Sequence, residues 1–287
     1  MKNFEVYLKA QGMKSSTVIQ HCKYAGQFLS WLAKESLTLS QVSYTEILDY
    51  TDHLKREAGS VGYVNRNLLS VQYYFSYLKS KDLNVFNPVA GIRLKGTVRT
   101  IPHHLLERAE LEELQDKYEV KDDRTHRNKV MLGLLVFQGL SRLELETLRP
   151  EHLKLREGKI QVPQSGKNNG RILALQPGQI LDLQEYLLII RPKLQRSSER
   201  LFTGRNDIES LKNSLLHLNH ALKKINPKYQ NVMQIRQSVI TEWLKEKDLR
   251  TVQYMAGHKY VSSTERYQTT NLEDLKEALN KHHPLNK

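Results

Sequence analysis

Apolar residues recur at helical spacing along almost the whole of this 287-residue chain, and they alternate only over one short interval. Phe4, Tyr7 and Leu8 open a first helix that ends near Gly12. Ser15, Ser16 and Thr17 cap a second, whose apolar face is read as Ile19, Tyr24, Phe28, Trp31 and Leu32. Ser43 and Thr45 precede a third (Ile47, Leu48, Tyr50, Leu54) that stops before Gly59. A fourth follows Gly62 with Val64, Leu68, Leu69, Val71, Tyr74, Phe75 and Leu78. Asn87-Pro88 closes the segment, because a residue before proline avoids the helical region.

The second half continues in the same way. Helices are predicted over 105–118, over an apolar run at 128–137 ending at Gly139, and over 139–148, stopped by Pro150. Leu155, Ile160 and Val162 then alternate with polar residues around Glu157-Gly158, which marks a hairpin. Ile172, Leu173 and Leu175 form a third strand after the turn at 166–170. Helices resume at 180–190, 208–225 and 232–245. Leu249, Val252 and Met255 form another, stopped by Gly257 just before His258. Ser262 and Ser263 cap a short helix carrying Glu265, Arg266 and Tyr267, and 271–280 reads as one more. The fold class is therefore mainly α with a small three-stranded antiparallel β-sheet. Two domains, 1–88 and 105–287, are joined by a linker over 89–104 that carries Arg93, Lys95 and Arg99 and closes with Ile101-Pro102.

Charge narrows the partners. Lys and Arg number 44 against 31 Asp and Glu, a net +13 with a pI near 9.6. That excess suits a polyanion. Cys22 is the only cysteine, which excludes an internal disulfide and a cysteine-based metal site. The longest apolar run, near 130–137, is too short to cross a bilayer. Met1-Lys2-Asn3-Phe4-Glu5 holds no apolar signal core, so the expected location is the cytoplasm, with no membrane partner.

The stretch Ala256-Gly257-His258 followed by Tyr267 resembles the C-terminal signature of the tyrosine recombinases, the phage integrase and Xer family: Leu-Gly-His, a Ser/Thr-rich loop, then the nucleophilic tyrosine nine residues on. A Gly-capped helix pair with a packed tyrosine would read the same, so the rest of the chain has to decide. Lys14-Ser15-Ser16-Thr17-Val18 and Asn65-Arg66-Asn67-Leu68-Leu69, with Asn87-Pro88, resemble the family's helical core-binding domain, and the second half resembles its catalytic domain. The resemblance implies a two-domain clamp on double-stranded DNA, with Lys14, Ser16, Asn65, Arg66, Arg93 and Lys95 facing the duplex. It implies cleavage without metal, ATP or other cofactor, through a 3′-phosphotyrosine. Carried over position by position, Tyr267 is the nucleophile, His258 and Arg236 bind the phosphate, and Lys167 in its Gly-Lys turn is the general acid. Arginine forks suit nonbridging oxygens because they donate to two at once and stay protonated. The C-terminal helix implies homo-multimers on DNA, and other recombinases are a further class of partner.

Two positions depart from the family pattern. Met233 stands where His-x-x-Arg has its histidine, and it can neither shuttle a proton nor donate a hydrogen bond. Ser141 stands where the first arginine belongs. Arg142 lies one residue late, about 100° around a helix; it, Arg171 or another cation is the candidate replacement. Losing one preorganised donor costs roughly 2.7–4 kcal/mol of transition-state stabilisation. The chain is thus read as a site-specific recombinase or integrase. The alternative is a degenerate member that binds DNA or a recombinase partner without cutting. A helical RNA-binding or scaffold protein explains the charge but not the spacing.

Overall fold

A computed structural model of the chain describes residues 1–58, 60–81, 86–96, 104–166, 168–194, 197–204 and 210–268. It divides into two compact units, Met1–Arg99 and Thr100–Lys287. The architecture is mainly helical, with one three-stranded antiparallel sheet. Among the described residues no helix is long and apolar enough to cross a membrane.

The first unit contains α1 (Lys2–Ala10), α2 (Ser15–Lys34), α3 (Tyr44–Ala58) and α4 (Val61–Lys79). Ser60 starts α4 by accepting from the Tyr63 amide. Phe28, Trp31, Ile47, Tyr50, Leu68 and Phe75 fill the main core. Phe4, Leu8, Val18 and Ala25 make a smaller cluster closed by Tyr74 and Tyr77, with Phe4 edge-on to Tyr74 at 5.2 Å. Three residues expected in this core lie outside it. Ile19, Leu48 and Leu69 are exposed, while their neighbours Val18, Ile47 and Leu68 are buried. One residue turns a helix by about 100°, so on these helices, packed along one side, the second member of each apolar pair falls outside the buried stripe.

The segment expected to be a linker from residue 89 begins as part of this unit. Val89 is buried, and Ile92 and Leu94 pack against the main core. Asn65 fastens it: Nδ2 donates to the Leu94 carbonyl at 2.9 Å, and the Leu94 amide donates to Oδ1 at 2.9 Å. Residues 97–103, including Arg99 and Ile101-Pro102, lie outside the described residues.

The second unit runs α5 (Arg108–Asp116), α6 (Asp123–Gln138), α7 (Arg142–Thr147), β1 (Leu153–Lys154), β2 (Lys159–Val162) and β3 (Arg171–Ala174). Then come α8 (Pro177–Glu185), continued by a π-helical stretch at Tyr186–Ile190, α9 (Arg191–Leu194), α10 (Lys212–Ile225), α11 (Val232–Glu246) and α12 (Leu249–Ala256). A last helical stretch, α13, covers 262–268. The sheet order is β1-β2-β3, with Ile160 opposite Leu153 on one side and Leu173 on the other. Helix α6 starts ahead of the expected residue 128, because Asp122 accepts from the Thr125 amide at 2.7 Å and so caps it earlier. Leu155 is not in a strand: Leu155–Glu157 forms a 3₁₀ turn, closed by Gly158 at φ 63°.

Helix α6 is the centre of this unit. Met131, Leu132, Leu134 and Leu135 are fully buried among Leu145, Ile160, Tyr186, Leu218 and Ile235. Each such side chain contributes roughly 1.5–3 kcal/mol of burial. Gly139 ends α6 in the left-handed region at φ 57°, and a Cβ there would stand 3.1 Å from Val239. This sharp stop delivers the chain to α7, where the site begins.

Candidate active site

Ser141 caps α7, and its partner in the capping box is Glu144. The Ser141 amide and hydroxyl donate to Glu144 Oε2 at 2.7 and 2.8 Å. That turns the carboxylate inward, where it is fully buried. It is met there by Arg171 from β3 (Nη1 to Oε1, 2.5 Å), Asn168 (Nδ2 to Oε1, 3.1 Å) and Arg236 from α11 (Nη1 to Oε2, 3.3 Å). Burial by itself would push the Glu144 carboxyl up. The Arg171 hydrogen bond and charge, joined by the Arg236 charge, outweigh it and hold the carboxyl below its ordinary range.

Arg236 is 5% exposed. Its Nη1 donates to the Gly139 carbonyl at 2.5 Å and its Nη2 to the Ala256 carbonyl at 2.5 Å. Three elements are thereby tied to one guanidinium: the end of α6, the start of α7 and the end of α12. Burial lowers its pKa, with the Glu144 charge opposing. An arginine this close to a carboxylate stays charged.

Gly257 ends α12 at φ 70°. A Cβ at this position would lie 2.5 Å from Arg171 Nη1 and 2.9 Å from the Asn169 carbonyl, so only glycine fits. Arg171 Nε donates to the Met255 carbonyl at 2.6 Å, and the Asn169 amide donates to the Gly257 carbonyl at 2.7 Å. Asn168 forms a β-bridge with His258. The β2–β3 turn is therefore stitched to the Gly257-His258 corner through Asn168, Asn169 and Arg171.

His258 shares a hydrogen bond between Nδ1 and Thr264 Oγ1 at 2.8 Å. Burial, then the charges of Arg236, Arg266 and Arg171, push its pKa down to about 4. The ring is neutral at pH 7, with one nitrogen able to donate and one able to accept. It lies nearly parallel to the Tyr267 ring, 11° between planes and 6.1 Å between centroids. Tyr267 is 3% exposed and packs on Ile240, Val252 and Ala256. Its oxygen is not walled in by apolar groups: Arg266 Nη2 donates to it at 3.0 Å.

The Phage integrase family description matches residues 104–273. The chain belongs to the phage integrase family. It is 25% identical over 280 residues to tyrosine recombinase XerD of Vibrio cholerae, covering 96% of this chain and 92% of that protein. It is 24% identical over 268 residues to tyrosine recombinase XerC of Staphylococcus saprophyticus, covering 90% and 88%. Among solved structures it is similar to the XerH site-specific recombinase bound to difH substrate, a post-cleavage complex, with TM-score 0.76, 19% identity and coverage of 94% of this chain and 81% of that one. A lambda integrase dimer bound to a COC′ core site gives TM-score 0.65 at 15% identity, covering 93% of each chain. These structures share the fold.

Within this phage integrase fold, Tyr267, His258 and Arg236 come together around the Glu144 brace. Lys167 and the helix expected over 271–280 lie outside the described residues. Arg142 is turned aside: Nε and Nη2 grip Glu146 Oε1 at 3.0 and 2.9 Å, although Arg142 lines the same pocket of about 360 Å³ as Ser141, Met233 and Arg236. Arg171 is sealed behind Glu144 and does not reach that pocket. In the first unit Lys14, Ser16, Arg66, Arg93 and Lys95 are exposed, and Ser16 and Arg66 line one groove between α2 and α4. Asn65, expected to face DNA, instead holds Leu94 with both ends of its amide. Glu144, Asn168 and Thr264 were not read as site residues from the sequence. Of these, Glu144 was signalled by Ser141-x-x-Glu144, a capping box whose carboxylate falls between two leucines.

Proposed function

We propose that this protein is a site-specific DNA strand transferase that cuts and rejoins double-stranded DNA through a 3′-phosphotyrosine, without metal or ATP. The observation that carries the reading is the meeting of Tyr267, His258 and Arg236, from three separate segments, over one buried carboxylate. In the reaction the Tyr267 oxygen attacks phosphorus, the phenol proton passes to water, the P–O5′ bond breaks and the 5′-oxygen takes up a proton. Arg236 and the neutral His258 are positioned to donate to nonbridging oxygens, where charge develops. Lys167 is the proposed proton donor to the 5′-oxygen. Because the tyrosyl ester keeps the energy of the broken bond, resealing needs no nucleotide. Tyr267 is nearly buried, so α13 must shift for its oxygen to meet the phosphate.

The groove holding Ser16 and Arg66, with Arg93 and Lys95, supplies the proposed duplex contacts of the first unit. The relatives' bound substrates and the lambda integrase dimer support multimers on DNA. The test is a nicked suicide duplex. A covalent protein–DNA adduct with the native chain and none with Tyr267→Phe is expected.

The second reading, a DNA-binding member that does not cut, is favoured by Ser141 and Met233 at the pocket wall beside Arg236. Absence of any adduct beside tight, salt-sensitive duplex binding would establish it.

A further inference from the structure

We propose that Arg266 is a catalytic residue of this reaction, supplying at the attacking oxygen the positive charge that Ser141 cannot supply at the phosphate; the proposal rests on the strand-transfer reading above. Arg266 Nη2 donates to the Tyr267 oxygen at 3.0 Å, and the guanidinium carbon lies 5.0 Å from the centre of the ring. The oxygen accepts from Arg266, so its own proton points elsewhere and can pass to water as the O–P bond forms. As the O–H bond breaks and the O–P bond forms, negative charge on the oxygen is met by a group that stays protonated throughout. The P–O5′ bond then breaks, and the 5′-oxygen leaves with a proton.

The other arginines of the site are committed elsewhere. Arg142 is paired with Glu146, and Arg171 is sealed against Glu144 and the Met255 carbonyl. Arg236 is anchored to Gly139 and Ala256, on the phosphate side. Arg266 has a second feature that points to a ligand. Its Nε is buried and has no hydrogen-bond partner, an N–H left for an incoming phosphate oxygen once the phenol has joined phosphorus. One guanidinium can thus serve the nucleophile before attack and the ester after it.

The test uses the full chain on the nicked suicide duplex, comparing native, Arg266→Gln, Arg266→Lys and Tyr267→Phe in single-turnover adduct formation. Duplex affinity is read beside it at the same salt. Arg266→Gln is expected to slow adduct formation by about 100-fold or more, the scale of a lost preorganised donor, with affinity unchanged. Arg266→Lys, which keeps the charge without the fork, is expected to recover part of the rate. A second duplex carries a methylphosphonate at the scissile position, which removes one negative nonbridging oxygen, and the Gln deficit is expected to persist on it. A Gln variant as fast as native overturns the proposal. So does a rate that falls only in step with affinity, or a deficit that vanishes on the methylphosphonate, since Arg266 would then serve the phosphate alone. If the Gln variant does not melt cooperatively, Arg266→Lys decides, since a rate equal to native shows that no fork at the phenol is needed. No adduct from the native chain fails the strand-transfer reading itself, and this proposal with it.

Discussion

Glu144 and Arg171 form an ion pair sealed from solvent, with 2.5 Å between Oε1 and Nη1 and no exposed surface on either side chain. Such a pair stabilises little in itself, since both charges lose their hydration. Removing one member is another matter. Glu144→Ala would leave Arg171 and Arg236 buried without a counter-charge, and the expected loss is about 3–5 kcal/mol. Glu144→Gln keeps the shape and loses the charge, so it should fall between Ala and native. Urea denaturation of the three proteins checks the order. A Glu144→Ala variant as stable as native would show that the carboxylate is not the brace of the site.

Gly257 offers a backbone test of the same corner. An alanine there would pay about 1–2 kcal/mol for a left-handed residue. Its Cβ would also collide with Arg171 Nη1 and the Asn169 carbonyl. The clash presses on the β2–β3 turn and on His258 together. Gly257→Ala should lower the melting temperature and abolish adduct formation. Glycine-to-alanine at Gly178, where a Cβ meets nothing, is the control and should do neither.

These two corners separate what the sequence made legible from what it did not. Caps, glycine stops and period-3.6 stripes are local, and they outlined α2, α4, α11 and α12 and the turn at Gly166. The positions of Tyr267, His258 and Arg236 followed from the family resemblance. Local pattern could not say which of two adjacent apolar residues is buried, as Ile19, Leu48 and Leu69 show, because that depends on which helix packs alongside. Nor could it show that Asn65 and Arg171 are occupied within the fold, since Leu94 and Glu144 are 29 and 27 residues away. The role of Arg266 was hidden for another reason. A cation beside a tyrosine in sequence reads as surface until the ring beneath it is known to be buried.

The His258 ring sets a pH dependence. Its pKa is about 4 in the folded protein against an ordinary 6.5. Between these values the unfolded chain binds the proton and the folded chain resists it, so stability rises with pH across the interval. The contribution is complete above about 6.5 and is lost as the pH falls toward 4. His21 and His152 are also held low, chiefly by burial, so they add to the same slope. His258→Gln should therefore flatten part of the stability curve between pH 6.5 and 4 and leave the curve above pH 7 parallel to native. Urea midpoints measured across that range decide it; an unchanged slope would mean that the imidazole binds its proton equally well in the folded and the unfolded chain.

Met233 is where activity can be added. It is 58% exposed, one helical turn before Arg236 on α11, and both line the pocket that also holds Ser141. An imidazole at this point could exchange a proton with a phosphate bound against Arg236, which a thioether cannot do. A positioned proton-transfer group contributes typically about 100- to 10,000-fold, so even an imperfectly placed Met233→His should raise single-turnover adduct formation by about tenfold or more. The exposed site should tolerate the change with an unaltered melting temperature. Ser141→Arg makes the opposite bargain. It restores a cation but removes the α7 cap, at about 0.5–2 kcal/mol, and the hydroxyl that orients Glu144. The histidine variant should therefore gain rate without losing stability, while the arginine variant loses stability whatever its rate. If Met233→His leaves the rate unchanged in a chain that does form the adduct, the pocket beside Arg236 is not where the phosphate sits.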